Sequence, residues 1–129
     1  MTFTDLFGKQ YKRNPNLIDT YFNFTECNYL RNALMSQSYT EDELKILVKP
    51  LCNKLSIYDN CLLQSELEFV NKVMRKVLDE GFCQIYVNIL NKTYEYLKPE
   101  NIQLNRKKAE LWNTLTFKTY QKDLSLTIA

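Results

Sequence analysis

Only two glycines, Gly8 and Gly81, occur in this chain of 129 residues. Hairpin turns and phosphate-cradling loops depend on glycine for positive φ and close backbone approach. A chain so poor in glycine is steered away from all-β architectures and from Gly-rich nucleotide-binding loops. Helical spacing of apolar residues recurs along it, so the predicted fold class is all-α. The expectation is a single compact bundle of about five to seven helices over 1–129, with short connections. The length suits one domain that buries a core without staples. Charged residues at 25% and hydrophobic residues at 45% fit an ordinary globular protein.

Phe3, Leu6 and Phe7 suggest a short helix over residues 3–12. Asn14-Pro15 reads as an N-cap followed by proline at the first helical position, with Leu17, Ile18, Tyr21 and Phe22 as its stripe. Thr25 restarts the chain, and Cys27, Leu30 and Leu34 share one face. Thr40-Glu41-Asp42-Glu43 is a capping box; Leu44, Leu47, Val48, Leu51 and Leu55 follow it. Pro50 lies inside that pattern and must kink or break it. Ser65-Glu66-Leu67-Glu68 reads as a second box, which either starts a helix or lies within one that begins near Asp59, ahead of Phe69, Val70, Val73, Val77 and Leu78. Gly81 occupies the C-cap position, with Phe82 behind it. A helix over 82–97 draws its core stripe from Ile85, Ile89 and Leu97 with help from Phe82. A last helix from about 103 to 117 or beyond is expected to turn Leu104, Leu111, Trp112 and Leu115 inward. Alternation in Leu124-Ser125-Leu126-Thr127-Ile128 predicts an extended or disordered tail over 124–129.

Histidine is absent, which removes the commonest general base and the commonest metal ligand. The four cysteines, Cys27, Cys52, Cys61 and Cys83, include no CxxC pair, so they read as reduced thiols packed as small hydrophobes. No cofactor or metal is expected, and no paired acids or activated nucleophile mark out an enzyme. A helix-turn-helix over 40–80, broken at 56–60, lacks the glycine turn and opens its second helix on Glu66 and Glu68. The net charge of +2 supplies no field to steer a polyanion. Arg106, Lys107 and Lys108 are the candidate phosphate contacts for an alternative nucleic-acid role, expected to be weak or absent because Glu110 can pair with two of them.

Sixteen residues are Tyr or Phe. Aromatic side chains are enriched at protein interfaces, so the leading expectation is a non-enzymatic protein–protein interaction module: an adaptor, an assembly subunit or an inhibitor of a partner. Tyr86, Leu90 and Tyr94, four apart, form a second apolar row on the 82–97 helix and are the candidate partner-binding residues. The partner is another protein or a second copy of the chain. Abundant Asn, Lys, Tyr and Ile with scarce Ala, Gly, Pro and Arg match AT-rich codons, as in a large DNA virus, a yeast, a low-GC bacterium or a protozoan. Viral antagonists of host signalling have similar size and composition, although the Asn-Trp-Gly-Arg signature of the apoptosis-regulator bundle is absent. No signal-peptide pattern or run of ~20 apolar residues is present. The expectation is therefore an intracellular, cytoplasmic or nuclear protein with no membrane span.

Overall fold

The computed structural model describes residues 13–56 and 61–128, with side chains to residue 115. The helix expected over 3–12 and most of the break expected at 56–60 lie outside the described residues.

Among the described residues the chain is all-α apart from one short ribbon. Strand β1 (Leu17–Ile18) pairs antiparallel with β2 (Leu62–Leu63), in the register Leu17–Leu63 and Ile18–Leu62. The helices are α1 (Phe24–Met35), α2 (Glu41–Glu43), a π-turn at Leu44–Val48, α3 (Lys49–Ser56), α4 (Gln64–Glu80), α5 (Gln84–Tyr96) and α6 (Pro99–Ile128). Segments α2, π-turn and α3 run on as one rod. No helix among the described residues is long and apolar enough to cross a membrane.

Local chemistry explains the boundaries, and corrects three of them. Asn14 caps a turn instead of a helix. Its side chain accepts from the Asn16 N–H at 2.9 Å, and its carbonyl accepts from Leu17 at 3.1 Å. An Asx turn and a helix N-cap use the same short-range bond, and here the chain continues into β1. Asn23 caps α1, in a box closed by Glu26. The box at Thr40 and Glu43 forms as the spacing predicts. In α4 the reciprocating acid is Glu66, but the backbone N–H it satisfies belongs to Leu63, at 2.8 Å; Ser65 sits inside the first turn.

Pro50 neither breaks nor ends its helix. A proline ring clashes with the carbonyl four residues back and removes one bond. The π-turn immediately before it, closed by Lys49 N–H to Leu44 O, widens the coil by one residue per ring and accommodates that defect. Gly81 accepts the C-cap role through its N–H to Val77 O at 3.3 Å. Its φ of 175° is extended backbone, and a Cβ there meets nothing within 4 Å. The αL cap is therefore missing and Phe82, 80% exposed, adds nothing to the core.

The core gathers Ile18 and Phe22; Cys27, Leu30 and Leu34 of α1; Val48, Leu51 and Leu55; Leu62; Leu67, Val70, Val73, Met74 and Val77 of α4; and Ile89 of α5. Helices α4 and α5 form an antiparallel hairpin in which Asn71 Nδ2 donates to Thr93 Oγ1 at 3.0 Å, inside the core. The alternation that suggested an extended tail loses to helix propagation, since α6 continues through Ile128. Leu124–Ile128 has no neighbouring strand in the described fold to pair with, and an unpaired strand leaves backbone groups without partners that a helix satisfies internally.

Candidate interaction surface

Helix α6 reverses the usual arrangement of a packed amphipathic helix. Leu104, Leu111 and Trp112, expected inward, are 49%, 61% and 36% exposed, and Leu115 is also exposed. Asn101, Asn105, Ala109 and Asn113, spaced every four residues, line the inward side, with Ile102 half-buried against the core beside them. Asn105 and Ala109 are buried. The reason lies in what α6 packs against. Its neighbour is the chain at 13–20, a turn running into β1, which offers backbone donors and acceptors in place of an apolar face. Asn113 Oδ1 accepts from the Arg13 N–H at 2.8 Å and its Nδ2 donates to the Arg13 carbonyl at 3.2 Å. A single amide thus imitates the paired bonds of a β-ladder. Asn105 Oδ1 accepts from the Asp19 N–H at 3.0 Å, and its Nδ2 donates to the Asn101 carbonyl at 2.8 Å. Asn101 in turn donates to the Glu95 carbonyl at 2.6 Å, tying α6 to α5. Ala109, between the two contacts, has no side-chain bulk to hold the strand away.

With its polar line satisfied inside, α6 turns its apolar line to solvent. Leu104, Lys108 and Leu111 follow one another at i, i+4 and i+7, so they share a face. Lys108 Nζ lies 3.5 Å from Asp19 Oδ2, and Asp19 also pairs with the Arg13 guanidinium and accepts from Cys61 Sγ at 3.7 Å. Asp19 therefore anchors the end of the extended segment to the helix.

The row on α5 is graded. Tyr86 packs edge-on against Tyr29 of α1, ring centroids 5.9 Å apart at 77°, and burial pushes its hydroxyl above the ordinary range. Leu90 is half-buried against the core, whereas Tyr94 is 52% exposed. Steps of four advance about 40° around the axis, so the row winds from the core flank to the outside. Arg106, Lys107 and Lys108 are all exposed. Consecutive residues sit about 100° apart, and these three fan across roughly 200° instead of lining one face.

Burial raises the Cys27 and Cys52 thiols, with the Arg31 charge opposing in each case. Among the described residues no group of three or more Cys, Asp or Glu side chains is placed to hold a metal ion. Sequence reasoning missed the amide ladder, although Asn101, Asn105 and Asn113 on one helical line were its signal. Comparison with models of known families, with curated proteins and with solved structures finds no match for this chain.

Proposed function

We propose that this protein is a non-enzymatic protein-interaction module that engages its partner, another protein or a second copy, through the outer face of α6. The observation that carries this reading is the reversal described above: leucines and a tryptophan face water while asparagines face the body. Leaving Leu104 and Leu111 exposed forgoes burial worth roughly 1.5–3 kcal/mol per side chain. Large apolar side chains grouped on an exposed face in this way are a feature of interaction sites in folded proteins. Tyr94, with Tyr86 and Leu90 behind it, offers a second apolar edge to the same class of partner. The fanned arrangement of Arg106, Lys107 and Lys108 gives no specific support to a phosphate-binding role.

The test replaces Leu111 with a photo-crosslinking amino acid and identifies what it captures, with the L104E variant of that protein as the control. The expected result is one dominant product, a second copy or one other protein, lost in the control while the melting temperature is unchanged. A large fall in melting temperature for L104E, or capture indifferent to it, overturns the reading.

A further inference from the structure

A second surface, distant in sequence from α6, has the features of a peptide-docking groove. Between the 37–40 loop and α4 lies a cavity of about 100 Å³ lined by Gln37, Ser38, Tyr39, Glu43, Phe69, Lys72, Val73 and Lys76. Its apolar floor is made by Tyr39, Phe69 and the buried Val73, with the two rings 5.9 Å apart and tilted at 50°. The Tyr39 hydroxyl donates to the Leu34 carbonyl at 2.6 Å, so this wall is held in place before anything binds. Lys72 and Lys76, one helical turn apart on α4, form one rim, both exposed. Among the described residues neither makes an ion pair or a hydrogen bond. Across the groove the only acid of the lining, Glu43, caps α2, where its Oε1 accepts from the Thr40 N–H at 3.2 Å, and it also feels the Lys72 charge.

Size and charge select the occupant. A cavity of about 150 Å³ accepts a benzene ring; this one is smaller and open, and suits one branched aliphatic side chain. Two exposed cations on the α4 rim, only Lys72 of which feels the charge of Glu43 across the groove, call for carboxylates beside that anchor, and complementary charge sets register and specificity in such contacts. We propose that this groove binds an acidic peptide segment of a partner protein, with one aliphatic residue seated on Tyr39, Phe69 and Val73 and its acidic flank along Lys72 and Lys76. The site is separate from α6, and its test does not depend on the role proposed there.

The probe is the peptide acetyl-Asp-Asp-Leu-Glu-Glu-amide, titrated into the isotopically labelled full chain and followed by backbone amide shifts. The expected shifts centre on Tyr39, Phe69, Lys72, Val73 and Lys76. Affinity should fall by about tenfold or more in the K72E/K76E variant, whose exposed substitutions leave the melting temperature unchanged. It should fall similarly when the peptide leucine is replaced by glycine. Absence of shifts at millimolar peptide overturns the proposal. Retention of binding by the glycine peptide or by K72E/K76E does so too, as does displacement of the leucine peptide by a single-stranded oligonucleotide that shifts the same amides.

Discussion

Lys92 extends its ammonium group from α5 to Glu26 at the first turn of α1, with Nζ to Oε1 at 2.5 Å and the carboxylate buried. The same oxygen closes the α1 capping box by accepting from the Asn23 N–H at 2.9 Å. A parallel device joins α4 to α3, where buried Glu66 closes its own helix start and meets Lys54 at 2.6 Å. A local helix signal and a long-range link are thus made by one side chain. Removing Lys92 leaves a buried carboxylate without its counter-charge, so Lys92→Met should cost about 2–4 kcal/mol in chemical denaturation. Adding Glu26→Gln should cost less than the sum of the two single changes. A cost below ~0.5 kcal/mol would place the pair with ordinary exposed bridges.

The Asn71–Thr93 bond inside the α4–α5 hairpin makes a contrasting prediction. Thr93→Val strands the Asn71 amide in the core and should cost about 1–3 kcal/mol. Replacing both, Asn71→Leu with Thr93→Val, should recover most of that loss, because a buried polar pair is expensive mainly when half of it is removed. Equal costs for the single and double variants would contradict this.

Asn113→Leu makes α6 more apolar, yet it should weaken the fold locally. The expected signature is faster hydrogen exchange at the Arg13 amide, with a stability loss of about 1–2 kcal/mol. Asn105→Leu should act alike at the Asp19 amide. Unchanged exchange at both positions would show that the amide ladder does not hold the extended segment.

Tyr86→Ala should destabilise by about 2 kcal/mol, less than a fully buried aromatic, because its ring packs on Tyr29 at the edge of the core. Tyr94→Ala should stay within ~0.5 kcal/mol. Paired thermal melts decide this, and equal effects of the two changes would defeat the graded reading of the row.

Burial raises the Cys27 and Cys52 thiols above their ordinary value of 9.0. For an acid whose folded pKa is raised, the folded state holds its proton longer than the unfolded chain does. The associated stability is fully present below about pH 9 and is lost as pH rises past it. Denaturation midpoints should therefore fall from pH 9 upward, and Cys→Ser at either position should flatten that fall. The buried Cys27 thiol should also alkylate more slowly than Cys83. A midpoint unchanged to pH 10 would refute the assignment.

The face of α1 carrying Cys27, Leu30 and Leu34 was legible in the sequence, and so was the Thr40–Glu43 cap, because periodicity and capping are properties of the local backbone. Which face of α6 turns inward was not. Spacing says that Leu104 and Leu111 share one side and Asn101, Asn105 and Asn113 another. The choice between them depends on a neighbour 86 to 100 residues away that presents backbone polar groups. Asn14-Pro15 misled for a related reason, since one local hydrogen bond serves both a helix cap and a turn. Tyr39 and Phe69 stand thirty residues apart, and nothing in the chain announces that they floor one groove.

Amides, more than buried methyl groups, fasten α6 to the strand segment, and this gives its release an unusual thermal character. Detaching a helix that is held by apolar burial hydrates hydrocarbon and carries a large positive heat capacity. Detaching the inner face of α6 hydrates asparagine and peptide groups, whose heat-capacity contribution has the opposite sign, alongside the half-buried Ile102. Opening at α6 is therefore a sub-global event whose free energy curves less with temperature than that of the hydrophobic bundle beneath it. Cooling, which weakens that core through its heat capacity, does not weaken the grip on α6 by the same route.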